Sequence, residues 1–182
     1  MGKNQRSIRE KSIPFKSKIV SLKDNKIARF VILYLVYIGI FTGLYLLFKE
    51  DLAFMRNLTA ETFSFTMNAL GVTNSVTENL LLFGNGITAL KVIDECTGIY
   101  EVLIYSSCVM AYSTTYQKKL LGIAFGLPAI LGINMVRLVF LGFVGVWYPE
   151  IFDYVHYYLW QVTLILIIVL VVLIWIEKIV KK

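Results

Sequence analysis

The chain has 182 residues, a formal net charge of +6 and 58% hydrophobic side chains, with a mean hydropathy of +0.71. So apolar a composition excludes an ordinary water-soluble domain. The basic excess comes with no aromatic interleaving and no nucleic-acid module, so it points to a membrane surface and not to nucleic acid.

Residues 1–26 read as a basic cytoplasmic segment: nine Lys or Arg precede Phe30, against Glu10 and Asp24. This stretch is too long for the n-region of a secretory signal, and Lys49-Glu50-Asp51 is no small-residue cleavage site. The rest, 27–182, reads as one membrane domain. A bilayer core of about 30 Å takes roughly 20 helical residues, and four apolar stretches are long enough: about 27–48, 96–116, 120–148 and 155–176. The fold class expected is therefore an all-α integral membrane protein with about four transmembrane helices.

Between the first two spans, Leu58–Leu70 has helical spacing of Phe63, Phe65, Met67 and Leu70, with Gly71 as its stop. It fits a small amphipathic helix outside the membrane. Leu80–Phe83 and Ile87–Ile93 flank Gly84-Asn85-Gly86, a β-hairpin signal. Lys118 and Lys119 fill the connection between the second and third spans, and Lys178, Lys181 and Lys182 follow the fourth. Residues 49–95 carry three cations against six acids, and 147–156 carry Glu150 and Asp153 with no Lys or Arg. The positive-inside rule then places both termini in the cytoplasm and these two connections outside.

Three chemically capable residues fall at that outer edge. Cys96 follows Asp94-Glu95 at the expected start of a helix, where backbone N–H groups and the helix dipole favour an anion and lower a thiol's pKa. Taken alone, it reads equally well as a structural thiol. Gly98 would let another backbone approach closely. Cys108 is twelve residues further along the same helix, roughly 18 Å away, too far for a disulfide, and reads as a packing residue. Without a CxxC pair, neither a thiol oxidoreductase nor a cysteine-ligated metal is expected.

Arg137 lies 17 residues beyond Leu120, about 26 Å across the core. Asn134 shares its helix face. An intramembrane arginine needs a named partner, either Glu101 in a structural pair or the Cys96 thiolate and a substrate oxyanion. His156 is the one histidine of the chain. Alone it reads as an interfacial residue among tyrosines; beside a thiol and an arginine it becomes a general acid or base, with Asp153 three positions earlier to orient it. One histidine without a carboxylate cluster implies no metal centre, and no cofactor is expected.

These residues form an ordered set. Cys96-Thr97-Gly98-Ile99 resembles the Cys-Ser-Gly-Ile type motif of the exosortase/archaeosortase family, with threonine where serine is more usual. Asn134-Met135-Val136-Arg137 resembles the Asn-x-x-Arg motif, and His156 falls where the last motif histidine belongs. The similarity covers about residues 80–160, and with four spans where many members have about eight, it describes a short-form member. The resemblance implies a plasma-membrane, multi-pass cysteine protease or transpeptidase whose active site faces outside. Its substrates would be secreted proteins ending in a motif, an apolar span and a basic tail. They would be cleaved through a thioester and passed to a lipid or envelope acceptor. Cys96 would be the nucleophile, Arg137 the oxyanion or thiolate stabiliser and His156 the acid/base, supported by Asn134, Gly98, Asp153 and Glu101. Two further readings stay open: an intramembrane peptidase without transfer, and a non-enzymatic assembly, transport or regulatory subunit in which Arg137–Glu101 is structural.

Overall fold

The computed structural model describes residues 25–84 and 88–181. The first helix, α1 (Lys26–Leu47), starts where the Asn25 side chain accepts the Ile27 N–H. Its 22 residues rise about 33 Å, matching a bilayer core. Tyr45 is its one buried side chain, so most of the helix presents apolar surface outward. Helix α2 (Phe54–Ala69) follows, and Gly71 ends it with φ +86°, its N–H bonded to the Asn68 carbonyl. The apolar residues of this helix are divided between two sides. Phe63 and Met67, four apart, point into the core, whereas Phe65 and Leu70 lie on the outer side with Phe54 and Leu58.

The hairpin is larger than expected. Strands β1 (Asn74–Thr77), β2 (Leu80–Phe83) and β3 (Thr88–Lys91) form one antiparallel sheet in the order β1-β2-β3. Leu80 pairs with Lys91 and Phe83 with Thr88, while Thr77 also pairs with Leu80 across a tight turn where Glu78 has φ +54°. The expected Asn85-Gly86 turn lies outside the described residues. Leu81 and Phe83 point under the sheet to join Ala60, Phe63, Met67, Val92, Cys96 and Leu138 in one core.

Helix α3 (Ile99–Ala111) is shorter than the 96–116 span expected for it. Residues 94–96 form a separate 3-10 turn, and 112–115 leave the helix before α4 begins. Its 13 residues rise about 20 Å. It runs antiparallel to α1, with Tyr45 against Tyr100 at one end and Phe30 against Tyr112 at the other. Helix α4 (Tyr116–Trp147) is 32 residues long with Pro128 inside it, and α5 (Phe152–Trp175) returns beside it. Among the described residues, α1 and α4 are long and apolar enough to cross a membrane. The protein is a mostly helical membrane protein.

Small residues set the packing of α4. Its buried stripe includes Gly122, Gly126, Ile130, Asn134, Leu138 and Gly142 at four-residue steps. Trp175 fills the space over Gly122 and donates its indole N–H to the Lys118 carbonyl at 3.0 Å. Tyr105 lies over Gly126 and donates its hydroxyl to the Gly122 carbonyl at 2.8 Å. A Cβ on either glycine would occupy ring space. Gly126→Ala should therefore lower the unfolding midpoint in detergent, at a cost of about 1–3 kcal/mol from overpacking. Gly132→Ala, where a Cβ meets nothing, should be neutral or stabilising because alanine is the better helix former.

At the sheet end, Asp94 holds two cations from other segments. Arg56 of α2 binds it at 2.7 Å and Lys49, just after α1, at 3.2 Å. Burial opposes the charge on Asp94, but hydrogen bonds from Arg56, Lys49 and Tyr45 outweigh it and hold the carboxyl below its usual range. A carboxyl depressed on folding contributes in full above its unfolded pKa and loses that contribution as pH falls through the lower folded value. Asp94→Asn should thus destabilise the protein near neutral pH, and the gap to wild type should shrink as pH drops below about 4. Thermal unfolding across pH checks this; a gap unchanged in strong acid would show that the clasp is not electrostatic.

Candidate active site

Cys96 ends the 3-10 turn Asp94–Cys96, three residues ahead of α3. It therefore precedes the helix start expected for it, and its N–H is already bonded to the Ile93 carbonyl at 2.9 Å. The helix is opened instead by Thr97, whose hydroxyl accepts the Ile99 N–H and donates to the Asp94 carbonyl at 2.6 Å. Gly98 turns the chain with φ +80°, a conformation that costs other residues about 1 kcal/mol or more. Its missing side chain also leaves room for Asn134, whose amide nitrogen would stand 3.2 Å from a Cβ there. That amide donates to the Cys96 carbonyl at 2.7 Å. The backbone of the thiol is thus held from both sides, by its own turn and by α4.

A cavity of about 140 Å³ opens beside this turn. Cys96 and His156 both line it, and Phe63, Leu138, Leu141 and Phe152 make most of its wall apolar. The stretch Ala89–Ile93 forms the remaining side and brings Lys91 to it. His156 stands one turn into α5, half-buried. Its ring stacks on Phe152 at 5.6 Å and within 5° of parallel. The expected orienting bond from Asp153 is not formed: Asp153 is exposed, and among the described residues the Phe152 stack is what sets the ring.

Arg137 lies behind the turn and is not among the residues lining the cavity. It is 4% exposed; its Nη2 donates to the Glu95 carbonyl at 3.5 Å, and its Nη1 stands 3.5 Å from Glu101 Oε1. Glu101, on α3, is wholly buried. Of the two partners left open by the sequence, the Glu101 pair is therefore formed, and the arginine also grips the turn one residue before Cys96. Its charge remains within electrostatic range of both the thiol and the imidazole. Cys108 sits deeper along α3, away from this cavity, and both cysteines are free.

Some contributors escaped the sequence reading. Phe152 has no chemistry of its own and is recognisable only from its ring contact. The Asp94 clasp did leave a signal: Lys49 and Arg56 are two of the three cations in residues 49–95. Lys91, the third, lines the cavity itself.

The chain matches the family model described as transmembrane exosortase over residues 19–176. No curated protein and no solved structure matches it. Because the family match spans most of the chain, motif residues included, the protein belongs to the transmembrane exosortases, a membrane family of the transpeptidase type.

Proposed function

We propose that this protein is a cysteine transpeptidase in which Cys96 and His156 carry the chemistry at the outer face of the plasma membrane. The observation that supports it most is that these two residues, sixty positions apart in the chain, line one cavity. Residues 27–182 act as one membrane domain, with α1, α3 with its flanking turns, α4 and α5 crossing the bilayer and both termini in the cytoplasm. Family members act on secreted proteins with C-terminal sorting signals. The substrate here is accordingly a secreted protein whose last residues form a motif, an apolar span and a basic tail.

In the proposed reaction His156 takes the thiol proton as sulfur attacks the scissile carbonyl carbon. The C–N bond then breaks, and the leaving amine receives the proton back from the imidazolium. His156 next removes a proton from the acceptor, a lipid or envelope amine or hydroxyl, whose attack on the thioester breaks the C–S bond, and the imidazolium returns that proton to the departing sulfur. Arg137 stabilises the anionic species through its field and holds the Glu95–Cys96 backbone in place. Asn134 and Gly98 fix the same backbone from the α4 side.

With a co-expressed substrate, Cys96→Ala should abolish processing at unchanged membrane levels, and His156→Ala should slow it by about 10²–10⁴. Full processing by Cys96→Ala would end the proposal. The non-enzymatic alternative rests on the buried Arg137–Glu101 pair. Removing Arg137 alone leaves Glu101 uncompensated, a defect of about 3–5 kcal/mol, so a loss of activity there is ambiguous. The informative variant is Arg137→Met with Glu101→Met. If Arg137 serves only as a structural partner, the double variant should regain both expression and processing. If it assists the thiol, expression should return without processing.

Thiol labelling gives a further separation. In the catalytic reading Cys96 reacts faster than Cys108 near neutral pH with a small probe, and His156→Ala slows Cys96 alone. Equal rates for both cysteines would favour a structural thiol.

A further inference from the structure

The end of the α1–α3 pair remote from Cys96 holds a second and larger recess, of about 780 Å³. It exists because α3 stops at Ala111, about 20 Å from its start, while α1 continues past it to Lys26. The chain then crosses the floor of the recess as Tyr112, Ser113 and Thr114. Lys26 and Arg29 reach it from α1 and Lys119 from α4, with no acidic residue among those that line it. The Lys119 ammonium already donates to the Met110 carbonyl, which offsets the negative end of α3 at that point and leaves the recess net positive. Ser113 and Thr114 add hydroxyls on the floor. Ile27, Phe30 and Leu33 make the wall on the α1 side apolar.

From this arrangement we infer that the recess is a binding site for the headgroup of an anionic phospholipid. The phosphate lies among Lys26, Arg29 and Lys119 with the floor hydroxyls as donors, and the first methylenes of the acyl chains lie along α1. A free phosphate would use the cations and leave the apolar wall without a purpose. Charge argues against two peptide occupants. The chain's own first 24 residues hold seven Lys or Arg against two acids, and the basic tail of a sorting signal has the same sign. Cationic clefts between membrane helices are suited to anionic headgroups.

Native mass spectrometry of the full chain tests this, using micelles doped with equal amounts of phosphatidylglycerol and phosphatidylcholine of the same acyl chains. The wild-type protein should retain phosphatidylglycerol selectively. Lys26→Gln with Arg29→Gln should cut that retention about thirtyfold, given about 1 kcal/mol for each basic residue near a headgroup. The exchange Lys26→Arg with Arg29→Lys should preserve it, and Lys178→Gln with Lys181→Gln should leave it unchanged. Equal retention of the two lipids, or an equal loss in both Gln pairs, would overturn the site in favour of diffuse surface charge. Displacement by millimolar inorganic phosphate at the same affinity would overturn the lipid assignment in favour of a free anion. If the first double variant fails to fold, Ser113→Glu, which puts an anion on the exposed floor, should produce the same loss.

Discussion

One face of α4 contributes to both buried clusters of this protein, Leu138 to one and Ile130 to the other. In lipid, helices gain little from burying apolar surface against one another, so association depends on close contact and on interhelical hydrogen bonds. The stripe from Gly122 to Gly145 supplies both. Trp175 and Tyr105 fit over its glycines at one end, and Phe63 and Met67 meet Gly142 toward the other. Leu90 from the sheet and Phe152 from the start of α5 both reach Gly145. Midway along the same stripe stand Asn134 and Arg137, the two polar residues that touch the Cys96 turn. The site is therefore not an addition to the fold; it is where the stripe changes from small and apolar to polar.

That change has an electrostatic cost which the geometry meets in part. A buried ion pair such as Arg137–Glu101 recovers its desolvation only with good geometry and further hydrogen bonds, and apolar substitutes of similar volume are often at least as stable. Here Arg137 Nη1 stands 3.5 Å from Glu101, and Nη2 makes a second contact to the Glu95 carbonyl. Stability alone is thus a weak reason for the pair. Placement is a better one, because the pair links α3 and α4 and joins both to the residue before Cys96. The Asp94 clasp repeats this on the solvent side, where Arg56 and Lys49 secure the other flank of the same turn.

The sequence made legible what local pattern controls. Apolar runs located α1, α4 and α5 to within a few residues, Gly71 ended α2 as its position implied, and Glu101 was one of the two partners left open for Arg137. What it concealed depends on contacts between distant segments. β1 is Asn-Ser-Val-Thr, a polar stretch that becomes a strand because Leu80–Phe83 pairs with it. The apolar run that suggested a helix from Cys96 to Tyr116 contains two breaks: the left-handed Gly98, which delays the helix start, and Ser113-Thr114-Thr115, which ends it. Gly98 was read as room for another backbone, yet the group that occupies the space is the Asn134 side chain. Asp153 sits at the right spacing to meet His156, but the ring turns to Phe152, an apolar partner that charge patterning does not reveal.

The apolar wall around Cys96 bears on how such a site can work. Phe63, Leu138 and Leu141 form a poor solvent for an isolated anion, and the thiol is only 6% exposed. A resting thiolate far from any base would be costly there. Cys96 and His156 line one cavity, so in the proposed reaction charge would appear as a pair during attack and need not be stored beforehand. The rigid backbone clamp fits that requirement. With Thr97, Gly98 and Asn134 fixing the turn, the sulfur would need little rearrangement to meet a carbonyl in the proposed reaction. A membrane edge suits this division of labour. In the proposed reaction the bilayer would hold the apolar part of the substrate, leaving only the scissile segment to enter the space between β3, α4 and α5.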